Sequence, residues 1–169
     1  MEERALYKIT QGLYVLSCVD GDERFVGCTV DAVMQASFKP TLVAISCLNT
    51  NYTRECIEKK GEFGLSVLGK DVDPFIVANF GFQSGRTIDK WNNVKFYVED
   101  GLPYVEGNIA TIKATVLEKK VFESHTMFIA EVCGCKNNRD ADILTYTDYR
   151  DYFKTDVLDA MEKFKAKQA

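Results

Sequence analysis

The feature that most limits how this chain can fold is a succession of short apolar and β-branched runs, each closed by a turn signal. Ile109 to Phe122 alternates over a long span and Met127 to Cys135 does so again, the period-two pattern of strands with one buried face. Thr41 to Leu48 (TLVAISCL) is a continuous apolar run, so this strand is expected to be buried on both faces. Leu13 to Val19 and Arg24 to Asp31 flank Asp20-Gly21 as a hairpin. Lys95 to Glu99 and Tyr104-Val105 flank the turn Asp100-Gly101-Leu102-Pro103 as a second hairpin, and Phe63 to Leu68 adds a strand. Strands this frequent, joined by turns this short, predict a mainly β fold with flanking helices: an antiparallel barrel, closed or partly open, with helices filling its ends.

The helices are read from caps and spacing. Thr53 is placed as the N-cap of Arg54 to Lys60, which Gly61 ends. Val72 to Phe80 carries Pro74 where only a first turn tolerates it. Asp156 to Lys167 sets Val157, Leu158, Met161 and Phe164 on one face, so residues 150–169 are expected to form a helical tail of the single domain 1–169. The stretch from Ala32 to Pro40 reads as a connecting segment, and Gly81 to Asn93 as the longest loop.

Composition excludes several classes of function. The net charge of −4 argues against a general nucleic-acid binder and against a polybasic membrane patch. No apolar run approaches the roughly 20 residues that span a bilayer, and Met1 is followed by charged Glu2, Glu3 and Arg4 rather than by a signal peptide. A cytoplasmic protein is expected. None of the six cysteines forms the C-x-x-C spacing of zinc or rubredoxin iron sites. They read as reduced and mostly buried, with Cys133 and Cys135 on one strand face.

Two segments carry the candidate site. Gly27 to Thr53 ends in a polar loop (NTNYT) leading into a helix, where free N–H groups and the helix dipole favour an anion. Phe80 to Lys90 (FGFQSGRTIDK) offers Gly81 and Gly85 for tight turns, the Ser84 hydroxyl, and cations at Arg86 and Lys90. With ITQGLYVLS, TVDAVMQAS, Pro40, SHTMFIAEV and LTYTDY, these segments give a chain that resembles the flavin reductase-like family of FMN-binding split barrels. That family includes flavoredoxins and the flavin domain of high-molecular-weight rubredoxins. The resemblance runs from Leu6 to about Tyr149.

The resemblance implies an FMN-binding split β-barrel of Greek-key type, a homodimer with its flavin near the interface, and electron transfer from NADH or NADPH through the flavin. It implies phosphate contacts from Thr53, Ser84, Arg86 and Lys90, ring contacts from Thr29, Val30, Asp31, Ala32, Ser46 and Cys47, and further cofactor contacts from Asn51 and Gly85. Gln35 and Phe80 complete the implied set. His125, the one histidine, stands at a strand start and corresponds to the family's histidine beside the nicotinamide position; here Glu123-Ser124 precede it where the family has Gly-Asp. It is the candidate catalytic residue. Nothing in the spacing of Ser84, Asp89 and His125 supports a triad. The rival readings are an electron carrier reduced by a partner protein without nicotinamide, and a non-redox binder of flavin or another planar ligand. A rubredoxin, if used, must come as a separate protein, because no C-x-x-C pair follows Tyr149.

Overall fold

The structure is a computed structural model and describes residues 2–168. Seven strands form one antiparallel sheet: β1 (Tyr14–Val19), β2 (Phe25–Val30), β3 (Val33–Phe38), β4 (Thr41–Leu48), β5 (Glu62–Val67), β8 (Ala110–Val121) and β9 (His125–Asn137). Their order is β2-β1-β5-β8-β9-β4-β3. β2 and β3 are therefore opposite edges of the sheet, yet only Asp31 and Ala32 separate them in sequence. Two residues cannot span a flat seven-stranded sheet, whose strands lie about 4.8 Å apart. The sheet rolls up instead, and its edges meet at the Asp31–Ala32 corner. This is the split barrel.

Alternation along the strands decides what each face does. Leu16, Cys28, Ile45, Leu65, Phe128 and Ala130 point into the barrel, and α1 (Tyr52–Lys60) closes one end with Cys56 and Ile57. The opposite face of β1 and β2 is covered by α2 (Pro74–Phe82) and α3 (Lys154–Ala166), with a second core of Val15, Val77, Phe80, Trp91, Val157 and Met161. At Gly27 a Cβ would lie 3.0 Å from both the Leu16 carbonyl oxygen and the Phe80 ring, so only glycine lets α2 seat this closely. The small hairpin of β6 (Phe96–Glu99) and β7 (Leu102–Val105) turns on Asp100 (φ 50°) and Gly101 (φ 80°), the pair of positive φ values that a two-residue turn of this hand requires. No helix among the described residues is long and apolar enough to cross a membrane.

Several expectations are corrected. Residues 33–38 are not a connector but the edge strand β3, paired through Met34 opposite Ala44. The helix cap is Asn51, not Thr53: the Asn51 side chain accepts from the Thr53 N–H at 2.9 Å, while Thr53 itself is buried. β4 is buried at Val43, Ala44 and Ile45, but its ends Thr41 and Leu48 are exposed. Leu102 and Pro103 belong to β7 rather than to the turn, and α2 runs on to Phe82. Four cysteines are buried and Cys133 and Cys135 are exposed. Burial pushes the Cys18 thiol up to about 12 and holds Cys28 and Cys47 above the ordinary thiol value, so the core thiols are inert.

Candidate functional site

Three cavities gather around the corner where the sheet edges meet; a larger one, of about 430 Å³, lies away from it, lined by Asp73, Phe75, Lys95 and Glu106. On one side a cavity of about 180 Å³ is lined by Thr29, Val30 and Asp31, by Gly81 and Phe82 at the end of α2, and by Tyr146 and Tyr149. On the other side a cavity of about 250 Å³ is lined by Ala32, Met34, Ala44, Ser46 and Met127 together with Ile9 and Gln11. The corner is held by its own backbone: Val33 N–H donates to the Asp31 carbonyl at 2.8 Å and Ser46 N–H to the Ala32 carbonyl at 2.9 Å. A third, more polar cavity of about 250 Å³ shares Gly81 and Phe82 with the first. It continues to Thr50, Asn51 and Tyr52 at the start of α1, and to Ser84, Gly85 and Lys90. The first and third share Gly81 and Phe82, and the second lies across the Asp31–Ala32 corner from them; taken together this groove is apolar and aromatic around the corner and polar at the α1 N-terminus.

That gradient comes from local structure. Asn51 caps α1 and leaves the first turn of the helix facing the polar cavity, the geometry that favours an anion. The Ser84 turn shapes the opposite wall: its carbonyl accepts from Thr87 N–H and Ile88 N–H, and its hydroxyl from Arg86 N–H. Thr145 and Asp148 form a reciprocal capping box, which fixes Tyr146 and Tyr149 against the corner.

The two sequence-nominated cations are both engaged. Lys90 is buried, and its ammonium donates to the Gly27 carbonyl at 2.9 Å and the Phe80 carbonyl at 3.0 Å. Burial pushes it down to about 8. Its stem still lines the polar cavity, so its charge acts there over a short distance. Arg86 pairs with Glu55 and stacks on the Tyr52 ring at 4.8 Å.

The remaining nominations divide. Thr29, Val30, Asp31, Ala32, Ser46, Asn51, Ser84, Gly85 and Lys90 line the groove. Cys47 and Thr53 point into the core, and Phe80 packs against Trp91 there. Gln35 is exposed on the β3 edge, bonded to the Ser37 carbonyl at 3.4 Å. His125 opens β9 directly opposite Leu48, and Met127 lies opposite Ser46. Residues two apart on a strand share a face, so His125 lies on the face that carries Ser46, Met127 and Leu48, which line the groove. Its Nδ1 is hydrogen-bonded to the Ser124 hydroxyl at 2.8 Å.

Tyr146, Tyr149, Phe82 and Met127 join the site only in the fold. For the tyrosines a signal existed, since Thr145-x-x-Asp148 is a capping-box pattern.

The sequence matches the flavin reductase like domain family over residues 6–155. It is 32% identical over 152 residues to a protein named ferric-chelate reductase (NAD(P)H) from Archaeoglobus fulgidus, covering 88% of this chain and 89% of that protein. It is 32% identical over 151 residues to a high molecular weight rubredoxin from Moorella thermoacetica, covering 88% of this chain but 66% of that one. Among solved structures, the styrene monooxygenase flavin reductase of Pseudomonas putida S12 superposes with a TM-score of 0.74 at 27% identity, over 85% of this chain and 90% of that one.

Proposed function

The chain belongs to the flavin reductase-like family and is a flavin-dependent oxidoreductase, and on that premise we propose that it holds FMN along the corner groove and draws electrons from NADH or NADPH. The observation that carries this reading is the groove's polarity: an aromatic and apolar stretch around Asp31–Ala32 that runs into a helix N-terminus. A flat ring joined by a short polar chain to one phosphate has that same distribution.

The donor set fits the group. Asn51, Ser84, Gly85 and the first turn of α1 would hold the phosphate, with Lys90 behind them. The backbone of Thr29 to Ala32 and Ser46 would border the ring, and Phe82, Tyr146 and Tyr149 would keep water from one side of it. When bound, the flavin supplies the hydride-accepting and electron-passing chemistry. The protein's own residues orient it, set its electrostatics and leave one approach open near His125.

The likeness to the protein named ferric-chelate reductase supports a ferric chelate as acceptor, and the likeness to the high molecular weight rubredoxin supports a small redox protein. Purified protein is expected to be yellow, and to bleach on anaerobic addition of NADH or NADPH. A yellow protein that neither nucleotide bleaches would overturn the nicotinamide donor and point to a carrier reduced by a partner. A colourless protein that takes up no added FMN would overturn the cofactor.

A homodimer is part of the same proposal. The β3 edge exposes Met34 and Phe38, and beside it the face of β4 and β9 leaves Ser46, Met127 and Ile129 half-buried. Exposed apolar area of this kind is a common mark of an interface. Light scattering is expected to return twice the 19.1 kDa chain mass. A monomer that still binds FMN tightly would remove the partner from the site.

A further inference from the structure

The β8–β9 turn that presents His125 is held by one residue from another segment. Asn49, on the loop between β4 and α1, donates from Nδ2 to the Phe122 carbonyl at 2.9 Å and to the Glu123 carbonyl at 3.1 Å. Its Oδ1 accepts from the buried Thr126 hydroxyl at 2.7 Å. Its own N–H donates to the Ser124 carbonyl at 2.9 Å, and its carbonyl accepts from Arg54 Nη2 at 3.1 Å. Every polar group of Asn49 is thus spent, four of its five bonds on the residues that bracket His125.

The location gives this clamp a meaning beyond stability. Leu48, opposite His125, lines the polar cavity, and Asn51, two residues beyond Asn49, caps the helix that faces it. We propose that Asn49 is a positioning residue for His125, fixing the turn that presents the imidazole to the groove and tying it to the loop that forms the anion-binding end. The functional half of this inference rests on the nicotinamide reading above; the structural half does not. An asparagine is required because two donors and one acceptor must leave one short, planar group. Aspartate keeps the acceptor and the shape but supplies neither donor. Ser124 then trims the ring itself, since its hydroxyl bonds Nδ1 and leaves Nε2 as the free nitrogen.

The chain contains one histidine, so the imidazole 1H–13C resonance of the flavin-loaded protein reports on His125 alone. Asn49→Ala and Asn49→Asp are to be compared with wild type; the aspartate variant keeps the test decisive if alanine costs the fold. Both are expected to shift or split that resonance. Both are also expected to slow flavin reduction by NADH by about tenfold, the scale of a small loss of alignment, while reduction by dithionite stays within about twofold. An unmoved His125 resonance in the variants would overturn the positioning role. So would equal losses with NADH and with dithionite, which would mean general damage. If NADH fails to reduce even wild type, the nicotinamide reading falls, and the resonance alone still decides whether Asn49 positions His125.

Discussion

His125→Ala is expected to keep its flavin and its oligomeric state while slowing reduction by NADH or NADPH by at least about tenfold, and by as much as about 100-fold if the reacting atoms move by about 1 Å. Strand register sets the position of this side chain. His125 pairs with Leu48, and the face they share carries Ser46 and Met127 at the groove. That register sets the imidazole on the Ser46 and Met127 side of the corner rather than on the side walled by Phe82, Tyr146 and Tyr149. On the proposed reading it would meet what stacks on the flavin, not what anchors the phosphate. Dithionite needs no stacking site and should reduce the variant as fast as wild type in stopped-flow absorbance. An unchanged nicotinamide rate would deny His125 this role, and a loss of flavin would mean that it holds the cofactor instead.

How far the sequence discloses this site depends on whether a residue's role is local. Strands β8 and β9 follow from period-two alternation and β1 and β5 from short apolar runs, while Pro74 and Gly61 mark helix ends through their own backbone preferences. β3 is hidden because it is an exposed edge: Gln35 and Ala36 face solvent, so VMQASF shows no buried stripe. In NTNYT, Asn51 and Thr53 are both able to cap. Burial of Thr53 in the barrel end settles the choice, and only the fold reveals that burial. Asn49 gives no local sign at all, because its partners lie on another hairpin. The groove residues from Thr29 to Ala32 are legible through resemblance alone. Their physical reason, the meeting of two sheet edges at a two-residue corner, is a property of strand order.

Lys90 is the sharpest case, since a lysine beside Asp89 in a glycine-bearing loop reads as a solvated cation. In the fold its ammonium bonds two carbonyls from distant segments, Gly27 on β2 and Phe80 on α2. Lys90→Met should leave both carbonyls without a donor, at about 1–3 kcal/mol each before the relief of the lysine's own desolvation. The pH dependence separates these contributions. Below about 8 Lys90 is charged in both states; between about 8 and the ordinary 10.5 it is charged only in the unfolded chain. The unfolded state then binds more protons, so this group makes wild-type stability rise with pH across that window, by on the order of 3 kcal/mol, and the methionine variant lacks the rise. Urea unfolding of both proteins at pH 7, 9 and 10 measures the difference. A constant gap would show that Lys90 is not desolvated.

The same lysine links that window to the cofactor. A phosphate held by Ser84, Gly85 and the α1 N-terminus would favour the charged ammonium behind it. FMN affinity in wild type should therefore fall as the pH rises past about 8, while riboflavin affinity stays level. In Lys90→Met, FMN should lose about 1–3 kcal/mol at pH 7 and riboflavin almost nothing, because only FMN presents the anion. Equal loss for both ligands, with no pH step in wild type, would make Lys90 a staple between β2 and α2 with no part in holding phosphate.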